Sequence, residues 1–586
     1  MRKASFFGVL AIGCALSAAG TSACDAGNAD ETGSGASGQN GSASANTSAG
    51  SFASGTGGGG DCVTCSADLH SVITCDGTVL ETCPPDQGCS PGGGCVPACQ
   101  SAAENKSTIG CDFISITPAI IPESRGSCFA VMVANTWTAP IGISATYGAQ
   151  TIDGSAYTYI PQGTGPGITY QPLSGGMLQP GELGILFLSS YPSGDIFWVP
   201  CPVPQALSMP TQVDTTGFGQ SFRVETTAPV VAYDVYPWGG SPSFATSATL
   251  LLPTPTWGTN FVTADAWEAN AFGYPFTQIV AAEDNTTVTF VPVANVAGGG
   301  GIPAIPANTA GTLTLNAGQV AQVLQPERLA GSALQSDKPV SVWGGSSCMQ
   351  IPTGTSFCDA AHQQLLPVQS LGSEYVVVRY PPRPGDDNNA PITMIGMVDG
   401  TTLTYDPMPS GAPATLDQGQ VAIFYTTSPF SVRAQDDAHP FYVAAHMTGS
   451  QTGSGIGDPE YVNIVPPAQY LPSYLFATDP TYRNTALVFS RKKDADGLFQ
   501  DVTLDCLGTV TGWTPVGSGG AYEVAQLYIV QNGAPVGGCD NGVHTATSTV
   551  PFGLTSWGYD IDVSYAYPAG MALETINTVV VPPVPQ

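Results

Sequence analysis

Apolar and polar residues alternate in short runs along most of the chain, and turn-forming residues separate these runs. Residues 284–290 read Asp-Asn-Thr-Thr-Val-Thr-Phe, and residues 399–405 read Asp-Gly-Thr-Thr-Leu-Thr-Tyr. An Asp-Asn or Asp-Gly pair before alternating threonine and apolar residues is typical of a tight turn that enters a β-strand. The pattern therefore predicts many short strands and no long helix.

The same runs recur along the chain in a fixed order. Residues 252–262 and 366–376 share the pattern Leu-Pro-x3-apolar-Gly-x2-aromatic-Val, and a looser third copy begins at Val465. Residues 315–321 match residues 416–422, with Gly-Gln-Val-Ala in common. Motifs that repeat in register at one period indicate tandem structural units.

Proline-led apolar runs give the period. They begin about 100 to 110 residues apart, at Pro229, Pro339, Pro440 and Pro551. We expect an all-β protein of about four tandem antiparallel modules, each with six or seven short strands. The modules are β-sandwich-like repeats or, alternatively, a closed propeller-like array. Their expected bounds are approximately 112–247, 248–361, 362–461 and 462–586.

One observation favours closure of the array. Residues 578–583 read Thr-Val-Val-Val-Pro-Pro and resemble residues 462–467, which read Val-Asn-Ile-Val-Pro-Pro and open the last module. We therefore expect a terminal strand that pairs back onto the repeats.

The N-terminus has the features of a targeting segment. Residues 1–23 combine a basic start with a short apolar run and small residues, which indicates a signal peptide. Cleavage follows the small residues, or it precedes Cys24, which would then carry lipid as in bacterial lipoproteins. Residues 24–61 are rich in glycine and serine and predict a disordered tether.

Eight cysteines crowd the next segment, residues 62–111. Behind a signal peptide, such a cluster predicts a small domain knit by disulfides, whose connectivity the spacing does not give. A zinc site is the alternative, since Cys62 and Cys65 have the spacing of metal ligands.

The charge of the chain excludes some partners. Among 586 residues, 44 are acidic and 14 are basic, which gives a net charge of −30. A chain this acidic is repelled by phosphate backbones and anionic lipids, so we expect no nucleic acid partner. Contact with a membrane is expected only through a lipid on Cys24.

The chain lacks the familiar enzyme motifs, so we predict that it is not an enzyme. It has no Gly-x-Ser-x-Gly nucleophile elbow and no phosphate-binding Gly-x4-Gly-Lys loop. His362 is expected to form a structural hydrogen bond. His439 and His446 lie seven positions apart, so on one strand they would face opposite sides and would not share a metal.

Two acidic loops offer oxygen ligands for calcium. One is Asp386-Asp387-Asn388-Asn389, and the other contains Asp494 and Asp496. Neither has the spacing of an EF-hand, and both are typical of solvated loop tips. We therefore assign no cofactor, with calcium as the alternative.

One region resembles a known family. Residues 339–348 read Pro-Val-Ser-Val-Trp-Gly-Gly-Ser-Ser-Cys, and Cys358, the segment His-Gln-Gln-Leu-Leu-Pro at 362–367 and Gly-Ser-Glu-Tyr-Val at 372–376 follow. This combination is similar to the N-terminal domain of the IgGFc-binding protein family. The resemblance implies an exported surface protein, and it carries over no binding residues and no affinity for antibodies.

Two disulfides are expected in the repeats. A bond between Cys348 and Cys358 would close a short loop between the second and third modules. A bond between Cys506 and Cys539 would staple the last module, where the motifs diverge most.

Three functions agree with these observations. The first is a non-catalytic binding or adhesion protein of the cell surface or extracellular space, with a protein or glycan ligand. The second is a structural component of the envelope or extracellular matrix. The third is a glycan-active enzyme of an uncharacterised kind that uses paired carboxylates.

Overall fold

The computed structural model of the chain describes residues 62–243, 245–383, 389–452 and 455–583. The expected signal peptide (1–23), the expected tether (24–61) and the candidate acylation site Cys24 lie outside the described residues.

The N-terminal part of the described chain is rich in disulfides, as expected. It contains five short strands and one α-helix: β1 (Val63–Cys65), β2 (Ser71–Thr74), β3 (Val79–Thr82), β4 (Gln87–Cys89), β5 (Cys95–Pro97) and α1 (Ala98–Asn105). All eight cysteines are paired within the segment, as Cys62–Cys75, Cys65–Cys89, Cys83–Cys95 and Cys99–Cys111. No thiolate is therefore left here for the zinc alternative.

The first large sheet is antiparallel and is built around two adjacent strands, β7 and β14. Its strands are β6 (Gly110–Ser115), β7 (Phe129–Asn135), β8 (Ile143–Tyr147), β9 (Gln150–Ile152), β10 (Thr158–Gln162), β11 (Thr169–Pro172), β12 (Leu183–Ser189), β14 (Phe222–Tyr236) and β15 (Ser247–Leu250). The strand β13 (Gly217–Gln220) lies between β12 and β14 in the chain but belongs to the next sheet.

The second sheet repeats this plan around a long strand, β21. Its own strands are β16 (Gly258–Val262), β17 (Pro275–Ala281), β18 (Thr286–Val291), β19 (Gly311–Leu315), β20 (Gln319–Leu324), β21 (Ala333–Met349) and β22 (Asp359–Gln364). The strand β13 pairs with the outer edge of β20 and so joins the first two sheets.

The next part of the chain forms two four-stranded sheets. One contains β23 (Glu374–Val377), β25 (Thr401–Asp406), β26 (Thr415–Leu416) and β28 (Phe430–Ala434). The other contains β24 (Ala390–Gly396), β27 (Val421–Thr426), β29 (Phe441–Met447) and β30 (Glu460–Asn463).

The last sheet has β32 and β38 at its centre. Its strands are β31 (Leu471–Ala477), β32 (Asn484–Lys492), β33 (Val502–Leu504), β34 (Gly508–Thr509), β35 (Thr514–Val516), β36 (Tyr522–Gln531), β37 (Ala534–Pro535), β38 (Val543–Asp560) and β39 (Val563–Pro568).

The all-β fold class is confirmed. Short 3-10 helices punctuate the strands at Pro122–Ser124, Gly154–Tyr157, Gly165–Gly167, Ser174–Gly176, Ser241–Ser243, Thr254–Thr256, Val368–Ser370, Ser450–Thr452 and Pro467–Gln469. Among the described residues, no helix combines the length and the apolar character that crossing a membrane requires.

Three strands are longer than the sequence pattern indicated. β14, β21 and β38 have 15, 17 and 18 residues. Pro229, Pro339 and Pro551 lie inside these strands rather than at their starts. At each proline the pairing register between the long strand and one of its neighbouring strands shifts. A proline lacks an N–H and is accommodated in a sheet at such irregularities.

Four short strands meet at the centre of the repeats. β15 contacts β22, β22 contacts β30, β30 contacts β39, and β39 returns to β15. The side chain of Gln363 on β22 donates hydrogen bonds to Ala248 O on β15 and to Ala566 O on β39, both at 3.0 Å. This cyclic contact, which we call the central ring, is what the closed alternative expects.

The junctions between the sheets explain the Leu-Pro…Gly motif. A Cβ atom on Gly110, Gly258 or Gly372 would lie 2.5, 2.6 or 2.4 Å from the proline that opens the next copy of the motif. Only glycine leaves room for that approach. Gly110 begins a further Gly-x2-aromatic copy, ending at Phe113, that the sequence comparison missed.

The terminal segment packs back on the repeats, although it forms no strand. Asn577 Nδ2 donates to Val368 O and Leu371 O, both at 2.8 Å. Asn260 Nδ2 donates to Val581 O at 2.8 Å. The amide of Asn577 reaches from the segment to the repeats, the amide of Asn260 reaches from the repeats to the segment, and single backbone bonds such as Ile576 N to Gln369 O add to them. The strand ladder that we expected from the sequence is not formed.

Candidate functional site

The structure brings together both pairs of cysteines that we singled out. Cys348 is bonded to Cys358, and Cys506 is bonded to Cys539. A third bond, Cys128–Cys201, was not anticipated. Its partners are 73 positions apart, and no local motif connects them.

His362 lies in the core and forms a structural hydrogen bond. Its Nε2 is 2.6 Å from Asp234 Oδ1, and both side chains are completely buried. Ser115 Oγ donates to the other oxygen of that carboxylate at 2.9 Å. The imidazole therefore links β22 to β14, and its burial keeps it out of reach of a substrate.

His439 and His446 have separate surroundings. His439 is a partly exposed residue in the turn before β29, where its Nδ1 is 2.6 Å from Asp436 Oδ1. His446 is buried, stacks on Tyr461, and is bonded through Nε2 to Ala266 O at 2.9 Å. Burial lowers the pKa of His446 to about 3, so the ring stays neutral.

Of the two acidic loops that offered calcium ligands, the structure describes one in full. Asp386, Asp387 and Asn388 lie outside the described residues. In the other loop, Asp494 accepts hydrogen bonds from the backbone N–H groups of Asp496 and Leu498 at 3.0 and 2.8 Å. These bonds lower the pKa of Asp494 and stabilise the turn itself.

A different group of residues has the composition of a metal site. Asp505, Cys506 and His544 bring a carboxylate, a sulfur and an imidazole close together. The sulfur, however, is bonded to Cys539 and offers no thiolate. His544 Nδ1 lies 3.2 Å from Asp505 Oδ1, so the pair is a hydrogen bond beside the disulfide.

Buried carboxyl groups lie beside the central ring, and sequence reasoning did not identify them. Burial raises the pKa of Asp359 and of Glu460 well above the usual range, and the neighbouring Asp458 adds to the effect at Asp359. Ser564 N donates to Asp359 Oδ2 at 3.0 Å. Burial thus favours the protonated forms of Asp359 and Glu460, and both carboxyl groups accept hydrogen bonds within the core.

Three exposed aromatic side chains belong to segments that adjoin the Cys348–Cys358 disulfide. Phe272 is 63% exposed, Tyr274 is 42% exposed and Phe357 is 44% exposed. Phe272 and Tyr274 belong to the loop before β17, and Phe357 precedes the second cysteine. Exposed aromatic side chains that occur together on a rigid frame are typical of recognition surfaces.

Two contacts fix the loop before β17 against the disulfide. Asn270 Nδ2 donates to Cys348 O at 2.6 Å, while its Oδ1 accepts from Phe272 N and Gly273 N at 2.8 and 3.0 Å. A Cβ on Gly273 would lie 2.5 Å from Cys348 Cβ, so this position requires glycine. The aromatic rings therefore project from a restrained backbone.

An acidic side chain borders these rings. Thr353, inside the disulfide loop, donates to the exposed carboxylate of Glu268 and accepts from Trp267 Nε1 at 3.3 Å. Together, Glu268, Phe272, Tyr274, Thr353 and Phe357 define what we call the disulfide-loop surface. It combines aromatic rings, which are enriched at protein interfaces, with a polar, acidic border.

Comparisons with known proteins identify the family of the chain. A family model described as IgGFc binding protein matches residues 247–558, more than half of the chain. Over 284 residues, the chain is 27% identical to the IgGFc-binding protein of Homo sapiens, an alignment that covers 47% of this chain and 5% of the human protein. No solved structure matches the chain. The chain belongs to the IgGFc-binding protein family.

Proposed function

We propose that the protein is an exported, non-catalytic binding protein that recognises an extracellular protein through the disulfide-loop surface. The exposure of Phe272, Tyr274 and Phe357 beside a disulfide carries the proposal. Rings held in this way lose little conformational entropy when a partner covers them. The family, which is one of binding proteins, supports the same interpretation.

The charge of the chain indicates the kind of partner. A net charge of −30 and the exposed carboxylate of Glu268 favour a partner whose contact surface is basic. Complementary charge accelerates encounter and selects among partners, while the apolar rings supply most of the affinity.

The histidines support a role without catalysis. His362 and His446 are fully buried and hydrogen-bonded within the core. Neither faces a cleft in which a substrate would meet it. Recognition is then a property of loops that a rigid β scaffold positions.

Export is part of the proposal. The sequence of residues 1–23 and the seven disulfides of the described chain favour an oxidising, extracytoplasmic compartment. For anchoring we propose a lipid on Cys24, with free secretion as the alternative. Cys24→Ser should abolish metabolic lipid labelling and release the protein into the soluble fraction. Unchanged labelling would exclude Cys24.

The binding experiment uses the full chain on a biosensor surface. The analytes are extracellular proteins that differ in charge, including the Fc fragment of immunoglobulin G, and a glycan array is run in parallel. The variants Phe272→Ala, Tyr274→Ala and Phe357→Ala should each weaken a saturable protein interaction. The triple variant should weaken it more than about tenfold.

The matched control is Ile196→Ala, which removes an 80% exposed apolar side chain in a different loop. It should leave the affinity unchanged. A protein ligand that binds the combined variant as tightly as the wild type would contradict the assigned surface. Binding of glycans alone, or turnover of a glycan, would contradict the proposed function in favour of the alternatives given by the sequence.

A further inference from the structure

Each of the four sheet regions contains one strand in the same structural position. β12 pairs with β7, β20 with β17, β27 with β24, and β36 with β32. The match between residues 315–321 and 416–422 sets the register of two of them, so that Val320 corresponds to Val421 and Leu324 to Tyr425.

Three of these four strands are covered on their outer edge. β10 covers β12, β13 covers β20, and β35 covers β36. β27 is the terminal strand of its sheet, and among the described residues no strand pairs with its outer edge. An uncovered edge presents free N–H and C=O groups to any strand that approaches.

The length of the connections explains the difference. The chain between β12 and β13 runs from 190 to 216, which is long enough to deliver β13 to the edge of the next sheet. The corresponding connection between β20 and β21 runs only from 325 to 332. It turns inward instead, where Leu329 and Ala330 are buried and Arg328 is bonded to Asp265.

The outer edge of β20 shows which backbone groups of β27 are available. Leu324 N and O both bond to Thr216 Oγ1 across that edge, at 3.1 and 3.0 Å. Backbone groups alternate between the two sides of an antiparallel strand. The corresponding residue Tyr425, together with Ile423 and Val421, therefore directs its N–H and C=O groups outward.

The side chains of β27 confirm that this edge is less covered than its counterpart. Ile423 is 37% exposed and Tyr425 is 43% exposed, whereas Gln322, which corresponds to Ile423, is completely buried beneath β13. Two neighbouring side chains with large apolar surfaces thus remain in solvent, next to a backbone edge with which no described strand pairs.

Carboxylates stand at both ends of β27. Asp399 and Asp417 are exposed beside the turn that leads into the strand, where Asp399 Oδ1 accepts from Gln418 N at 2.9 Å. At the other end, burial and the nearby Glu268 raise the pKa of Tyr425. An incoming strand would therefore meet negative charge at each end.

We propose that β27 accepts an extended segment of a partner protein as an added β-strand, with basic residues at both ends of the segment and apolar or β-branched residues between them. This proposal rests on the proposed function, because it names the form in which a protein partner binds. The added strand would pair with Val421, Ile423 and Tyr425, and its side chains would cover Ile423 and Tyr425.

A second copy of the chain fits this edge less well. Antiparallel pairing of two β27 strands would bring Glu268 of one copy near Asp399 and Asp417 of the other. Each copy also carries a net charge of −30. Like charges opposed at an interface are unfavourable.

The experiment measures hydrogen–deuterium exchange of the full protein with a synthetic peptide that has lysine at both ends and alternating valine and threonine between them. We expect slower exchange across 420–426 when the peptide binds. The same peptide with N-methylated backbone amides, or with glutamate at its ends, should give no protection.

Two variants separate the edge from the fold. Ile423→Lys places a positive charge against the apolar middle of the added strand and should weaken binding at least tenfold, with unchanged circular dichroism. Gln322→Lys is unsuitable as a control because that position is buried, so the control is Thr402→Lys, an exposed residue of β25 in the neighbouring sheet. Equal affinity of the wild type and Ile423→Lys would overturn the proposal.

The outcomes also separate this inference from the proposed function. A protein ligand that requires Phe272 and Tyr274 but tolerates Ile423→Lys would leave the proposed function intact and overturn strand addition. Peptide-dependent protection of β27 without any extracellular protein ligand would support strand addition and contradict the proposed function. Protection that grows with protein concentration alone would identify a second copy as the occupant and overturn the assignment to a partner protein.

Discussion

Asn260 and Val581 are 321 positions apart in the chain and are joined by two hydrogen bonds. Asn260 Nδ2 donates to Val581 O, and Val581 N donates to Asn260 Oδ1, each at 2.8 Å. The amide of Asn260 thus substitutes for a neighbouring strand, and it holds the terminal segment against the second sheet.

Asn260→Ala should destabilise the protein, because it leaves a buried N–H and a buried C=O of Val581 without partners. The loss of free energy of unfolding should be about 1–3 kcal/mol. Chemical denaturation measures it, with Thr259→Ala at the exposed neighbouring position as the control. Equal stability of both variants would show that the terminal segment does not depend on this side chain.

The disulfides can be checked directly. Non-reducing peptide mapping of the protein, purified without reductant, should recover Cys348 linked to Cys358 and Cys506 linked to Cys539. Replacing Cys348 and Cys358 together with serine should lower the free energy of unfolding by about 2–4 kcal/mol, because the unfolded chain gains freedom. It should also weaken ligand binding. Free thiols at these positions in the protein purified without reductant would contradict the pairing.

Asp458→Asn should change how stability depends on pH. Burial raises the pKa of Asp458 from 3.8 to about 7. The native state then keeps the proton where the unfolded state has lost it, so this residue's contribution to stability falls as the pH rises from 3.8 to about 7.

The wild type should therefore lose stability relative to Asp458→Asn across that window, by at most about 1.4 kcal/mol per pH unit. Urea denaturation of both proteins on either side of the window measures the difference. Asp195→Asn, at an exposed position, should follow the wild type. A difference between wild type and Asp458→Asn that stays constant with pH would contradict the assigned pKa.

Gly372→Ala should weaken the junction between consecutive motifs. The added methyl group would lie 2.4 Å from Pro466 Cβ, so the two segments would have to separate. We expect a loss of about 1–3 kcal/mol in the free energy of unfolding. Gly167→Ala, where an added Cβ meets no atom within 4 Å, provides the control. A wild-type stability for Gly372→Ala would mean that the junction is loosely packed.

Local sequence patterns predicted the turns well. Asn285 and Gly400, in the two Asp-led motifs, both have positive φ angles, 54° and 66°, as tight turns require. These features depend on a few adjacent residues, so a short motif is enough to identify them.

Long-range features could not be predicted in the same way. The bond between Cys128 and Cys201, the burial of Glu460 and the uncovered edge of β27 all depend on which strands become neighbours. A strand's own residues do not record whether a distant segment covers it. Only the lengths of the connections between strands indicated which edges would be covered: residues 190–216 join β12 to β13, whereas residues 325–332 join β20 to β21.

The central ring also determines when the protein can finish folding. Tyr233 in the first sheet bonds to Ala569 O, 336 positions later. At about 5–20 residues per second, synthesis of that interval takes roughly 20–70 s. Until then β15 lacks its neighbour β39, and the chain stays open. A chain whose closure waits for such a late strand cannot complete its central ring until nearly all of it has been made.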